Sequence, residues 1–137
     1  MTSKVTYKGD LRTVCEHLRS GNTFTTDAPT DNNGKGEAFS PTDTVATALA
    51  SCMLTVMGIK ARELEVDLTE ATAEVTKVMA ANPRRISGIK IVMNFPVAPG
   101  DKSRKILEHT ANTCPVHHSL HPDINKEIIF NWGKTSA

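Results

Sequence analysis

Residues 112–123, NTCPVHHSLHPD, place one cysteine, Cys114, and three histidines, His117, His118 and His121, within eight positions. Two chemistries use such a set. One is metal binding, since thiolate and imidazole are the ligands zinc prefers. The other is redox chemistry at a thiol with titratable groups beside it. The spacing C-x2-H-H-x3-H suits a metal poorly. On a short helix His117 and His121 share a face, and His118 points about 100° away. Pro115 and Pro122 restrict how the segment wraps an ion. No Cys-x2-Cys or His-x3-His pair elsewhere in the chain supplies the remaining ligands of a four-coordinate site. Cys114 itself precedes Pro115, and proline favours the first helical position. That makes Cys114 a candidate N-cap, where free N–H groups and the helix dipole favour a thiolate. A simple capping role remains the other reading of this residue.

A second cysteine, Cys52, lies 62 residues upstream among Ala, Ser and Met. Burial in such surroundings raises a thiol pKa, so Cys52 alone reads as an inert packed residue. A nucleophilic role requires a nearby cation. Cys15 alternates with Leu11 and Thr13 and reads as a packed strand residue.

The elements that must position these groups follow from turn signals and periodicity. Residues 3–8, 11–19 and 23–27 read as three short antiparallel strands separated by Gly9-Asp10 and Ser20-Gly21-Asn22. Residues 28–39, rich in Pro, Asn, Asp and Gly, form a loop. Ser40 as N-cap, Pro41 at the first helical position and Asp43 as a capping-box acid start a helix that runs to about residue 64. Its middle is apolar on nearly every side, which predicts a buried helix about 35 Å long. Its small residues would admit close neighbours, a second subunit among them. Residues 66–80 and 86–97 predict a hairpin around Ala81-Asn82-Pro83-Arg84, with Ile89, Ile91, Met93 and Phe95 on one face. A second helix starts near Asp101 as its cap, with Ile106, Leu107, Thr110 and Ala111 inward. KEIIFNWG is the last strand, and the tail KTSA is expected to fray. The order βββ-α-ββ-α-β predicts an α+β fold, antiparallel sheets packed on a long buried central helix and a second helix, in one domain over 1–137.

Bulk properties narrow the function. The 137 residues are 39% hydrophobic and 23% charged, with net charge +1. Disorder is excluded, and no concentrated basic face suggests nucleic acid. No uninterrupted apolar run of ~18 residues suggests a membrane span. MTSKVTYKGD lacks an apolar signal core, and three widely separated cysteines do not make a secreted disulfide framework. The expected compartment is the cytoplasm.

Taken together, 40-SPTDTVATALASC-52 and 114-CPVHHSLHPDI-124, with the order of elements over nearly the whole chain, resemble the OsmC/Ohr-like family. The resemblance implies an intertwined homodimer and a thiol-dependent peroxidase acting on organic hydroperoxides, with no cofactor but an external dithiol reductant. By position it implies Cys52 as the peroxidatic cysteine and Cys114 as the resolving one. It also implies an Arg from the N-terminal strands that holds the thiolate. Arg12 fits best, with Arg19 as the alternative. An acid near the start of the central helix would orient that Arg. Here the acid is Asp43, one place later than the family's usual glutamate. His117 and His118 are candidate proton donors. Met53, Met57 and Phe39 suggest an apolar pocket that would prefer organic peroxides to hydrogen peroxide. Two rivals use the same fold: a binding module for a small apolar ligand or zinc, and a non-catalytic redox sensor.

Overall fold

The computed structural model describes residues 1–133, so the expected fraying of residues 134–137 lies outside the described residues. The chain divides between Val45 and Ala46 into two compact units.

In the first unit, β1 (Ser3–Gly9), β2 (Arg12–His17) and β3 (Thr23–Asp27) form an antiparallel sheet in that order. The tight β1–β2 turn puts Gly9, Asp10 and Leu11 at positive φ, which ends β1 and trims the expected second strand to Arg12. The loop after β3 folds back on itself through a 3-10 turn at Thr30–Asn32. Gly34 is required there, because a Cβ would fall 1.7 Å from the Ala28 carbonyl oxygen.

Helix α1 (Pro41–Glu63) starts as expected with a closed capping box. The Asp43 N–H donates to Ser40 Oγ, and the Ser40 N–H donates to Asp43 Oδ2, both at 3.0 Å. Burial is confined to a stripe, Ala46, Leu49, Ala50, Met53, Met57 and Ala61, and Ile59 stays 59% exposed. The expected all-round burial is therefore not met within one chain. As a whole, α1 is also long and apolar enough to cross a bilayer, although no uninterrupted run suggested it. Its buried stripe instead forms one wall of a core.

The second unit adds β4 (Thr72–Ala80), β5 (Arg85–Asn94), α2 (Asp101–Ala111), the short α3 (Pro115–Ser119) and β6 (Asn125–Asn131). β4 begins six residues later than expected. The Val66 N–H closes the end of α1 on the Ala61 carbonyl, and Asp67 Oδ1 accepts from the Thr69 N–H, which holds this stretch in turns. β4 and β5 form the expected hairpin, but β6 joins β5 in parallel. The antiparallel expectation fails at this strand because α2 and α3 carry the chain back to the end of the sheet from which β5 starts. The fold remains α+β. The alternation in β5 holds: Ile89, Ile91, Met93 and, just beyond, Phe95 are buried against Leu49, Met53, Met57, Leu107 and Ala111. Asp101 opens α2 from inside and pairs with Arg104, while Gly100 occupies the cap position.

Candidate functional site

Cys52 sits three turns into α1, and the capping box fixes where that helix starts. It is half-buried, on the flank of the buried stripe, in line with Val56 and the exposed Ile59 at helical spacing. Cys114 arrives from the other direction. The Thr113 and Cys114 N–H groups bond back to Thr110 and Ala111, which ends α2 and turns the chain into the core. Cys114 then caps α3 as the Cys-Pro pair predicts: Pro115 holds the first position, and Sγ accepts the His117 N–H at 3.3 Å. The residue is 0% exposed.

Cys52, 62 positions upstream, packs against the core cluster that contains Cys114, close enough to act on the Cys114 thiol. The Cys114 thiol is pushed up from its ordinary value, chiefly by burial and further by Cys52, and the His117 N–H opposes this only in part. The expected cap is present, but the expected gain for a thiolate at Cys114 is not, because loss of solvent outweighs one N–H donor. The second unit thus holds a half-buried cysteine on α1 and a fully buried thiol at the cap of α3. All three cysteines are free. Cys15 lies half-buried on β2 between Val5 and Phe24, as expected for a strand residue.

The three histidines do not converge as a ligand set among the described residues. His117 is lowered by burial first, then by the charges of Lys126 and His118. The His118 ring meets it edge-on at 5.8 Å. His121 Nδ1 accepts the Asp123 N–H at 3.0 Å, which turns it toward the following loop. Among the described residues, no three His, Cys, Asp or Glu side chains gather to hold an ion.

Arg12 belongs to the first unit, at the start of β2. Its Nε and Nη2 donate to the two carboxylate oxygens of Asp27 at 2.7 and 2.8 Å, and Nη2 also reaches Glu37 at 3.2 Å. The bond to Asp27 holds the Asp27 carboxyl below the usual range and raises the Arg12 guanidinium. Sequence reasoning missed Asp27 and Glu37. The signal was the pairing of strands two and three, which sets Arg12 directly across from Asp27. Asp43 closes the capping box described above. Arg19 is exposed in the β2–β3 turn. Of the three residues expected to line an apolar pocket, Phe39 belongs to the first unit and Met53 and Met57 to the second. Met53 and Met57 are 0% exposed and packed into the core, whereas Phe39 is largely exposed.

An α+β chain with one cysteine on its long central helix and a second at a buried Cys-Pro cap defines the class to which the comparisons assign it. Residues 34–128 match the family of OsmC-like proteins, and the chain belongs to that family. It is similar over 95% of both chains, at 61% identity and TM-score 0.92, to a Psychrobacter arcticus protein described as an osmotic stress induced and detoxification response protein. An organic hydroperoxide resistance protein OsmC from Legionella pneumophila shares the fold at 15% identity. Its TM-score is 0.74, covering 96% of this chain and 97% of that one. So does an organic hydroperoxide resistance protein from Vibrio cholerae with captopril bound in one active site. There identity is 19% and TM-score 0.73, with 96% of this chain and 92% of that one covered. No curated protein matches the chain by sequence.

Proposed function

We propose that the protein is a thiol-dependent peroxidase that reduces organic hydroperoxides to alcohols. The observation that carries this reading is that half-buried Cys52 packs against the core cluster that contains buried Cys114. In the first step the Cys52 thiolate attacks the terminal oxygen of ROOH. The O–O bond breaks, Cys52 becomes a sulfenic acid, and RO⁻ leaves to take a proton as ROH. In the second, Cys114 displaces the sulfenic hydroxyl. The S–S bond forms and water leaves with the Cys114 proton. An external dithiol then exchanges with the disulfide, returning two electrons and two protons and leaving oxidised itself. The order of roles follows the resemblance, in which the cysteine of the central helix is the peroxidatic one.

Arg12 is the cation assigned to the Cys52 thiolate, and Asp43 secures the helix that carries Cys52. The protein works as a homodimer in which a second copy covers the apolar face of Cys52, Val56 and Ile59, consistent with the partial exposure of that face in one chain. The relatives called hydroperoxide resistance proteins support a peroxide as substrate.

The test is consumption of cumene hydroperoxide with excess dithiol by wild type and Cys52→Ser. Turnover by wild type and none by the variant is expected. Absence of turnover in both would move the function to binding or sensing.

A further inference from the structure

The sulfur of Cys114 has two tasks that one position cannot serve together. As N-cap of α3 it is the side-chain acceptor for the first turn. It takes the His117 N–H at 3.3 Å, and the Val116 N–H acts on it as well. Pro115 brings no N–H of its own. As half of a disulfide, the same sulfur would bond to Cys52. Forming an S–S bond draws two sulfurs closer than free thiols can approach, so at least one of them leaves its place. The two carriers differ in what holds them. Cys52 lies in the middle of α1, between turns anchored by the buried Leu49, Ala50, Met53 and Met57. Helix α3 has five residues and none is buried, although Val116 and the following Leu120 rest in part against the core. Beyond the sulfur, α3 is held by the His118 N–H on the Cys114 carbonyl at 3.2 Å and the Leu120 N–H on the Val116 carbonyl at 3.1 Å. Ser119 Oγ adds a bond to the Pro115 carbonyl at 2.8 Å. All three bonds lie inside the segment itself, so none resists its displacement as a whole. An N-cap bond also depends on one side-chain rotamer, so a turn about Cα–Cβ releases it even without backbone movement.

We propose that α3 is a redox-sensitive turn: forming the Cys52–Cys114 bond draws Sγ of Cys114 off the cap, and the segment Pro115–Ser119 loosens. This rests on the reading that the two cysteines form a disulfide. The bond forms when Cys114 displaces the sulfenic hydroxyl of Cys52 and water leaves. Diamide forms it too, taking up the two thiol hydrogens as the sulfurs join. The Val116 and His117 N–H groups then lose their acceptor. Both residues are half-buried, and an N–H without a partner is costly away from water, so the turn opens to hydrate them. The change is local, and it reverses when a dithiol reduces the bond and Sγ returns to the cap. It marks the oxidised form at the surface, through a segment that carries the exposed His118 and Ser119. It also gives a reductant a way to the Cys114 sulfur, which is fully buried in the capped state. A thiolate has to reach the sulfur it attacks, so this access bears on the rate of exchange.

The experiment is amide hydrogen exchange at Val116, His117, His118 and Leu120, read residue by residue by NMR in the full-length chain. The chain is compared reduced and after diamide, with the Cys52–Cys114 bond identified by peptide mass. Exchange at His117 is expected to rise about tenfold on oxidation, the effect of losing one N-cap. Cys114→Ala should show the fast rate before diamide and no change after it. Cys114→Ser keeps an acceptor and cannot form the bond, and should stay near reduced wild type under diamide. Unchanged or slower exchange at His117 once the wild-type bond has formed would overturn the inference. So would full protection of His117 in reduced Cys114→Ala, or the same rise in Cys114→Ser under diamide. If diamide forms no Cys52–Cys114 bond, the inference fails together with the two-cysteine cycle of the peroxidase reading. If peroxide is consumed through that bond and His117 stays protected, the inference alone fails. If His117 is released on oxidation but no peroxide is consumed, the redox-sensitive turn stands and the peroxidase reading falls.

Discussion

Replacing Cys114 separates the two half-reactions, and the structure sets what the replacement should cost. Cys114 is fully buried and its sulfur accepts the His117 N–H. Cys114→Ala removes the cap acceptor, worth about 1 kcal/mol, and the burial of one sulfur, worth roughly another 1 kcal/mol. Cys114→Ser keeps an acceptor and buries a hydroxyl, for a loss of about 1 kcal/mol. Domains of this size hold about 5–15 kcal/mol, so both variants should fold. Each is treated with one equivalent of cumene hydroperoxide without reductant, and alcohol release and free thiols are counted. Wild type should release one equivalent of alcohol and lose two of its three thiols. Cys114→Ser should release the same alcohol but lose one thiol, leaving a sulfenic acid that dimedone traps. A second equivalent should be untouched by wild type and consumed by the variant, which proceeds to sulfinic acid. If Cys114→Ser releases no alcohol in the first turnover, the order of the two cysteines is wrong. If it loses two thiols, Cys15 is the resolving partner and the reasoning from proximity fails.

Three other perturbations address different parts of the structure. His117 has a lowered folded pKa, so its protonation favours the unfolded chain: stability should be lost as pH falls below about 6.5, the ordinary histidine value. His117→Gln should flatten that limb in urea melts between pH 5 and 7.5, and an unchanged limb would assign it elsewhere. Met53→Ala empties a fully buried site and should cost about 2–5 kcal/mol in urea unfolding; a loss under about 1 would mean the core closes over the gap. Ile59→Glu places a charge on the exposed face of α1, and light scattering should show a dimer for wild type and a monomer for the variant. A dimer that survives the change would place the interface on another surface.

The sequence carried the site unevenly. The α1 start was legible because Ser40, Pro41 and Asp43 are local signals read within one turn, and the Cys114-Pro115 cap was legible for the same reason. The alternation of β5 fixed its buried face. The direction of β6 was not legible, since side-chain period is the same for parallel and antiparallel strands, and only the crossover decides. Asp27 was missed because its importance comes from strand register, a relation between residues 15 apart that no local pattern encodes. Which side of α1 meets the core was not legible, because an evenly apolar helix hides it. The pull of burial on Cys114 was underestimated because a cap can be read from two residues, whereas desolvation depends on everything packed around them.

The distance along the chain between Cys52 and Cys114 has a thermodynamic consequence. A Cys52–Cys114 bond would close a loop of 62 residues that contains the β4–β5 hairpin and α2. Tethering a loop of that length restricts the unfolded chain and stabilises the folded one by about 4 kcal/mol. By linkage, the fold stabilises the bond to the same degree, making it about a thousandfold harder to reduce than the same bond in an unfolded chain. Each oxidation would therefore tighten the second unit and each reduction would loosen it, so that melting temperature reports the redox state. A reductant that closes a ring of its own, as a dithiol does, meets that demand better than a monothiol that must collide twice.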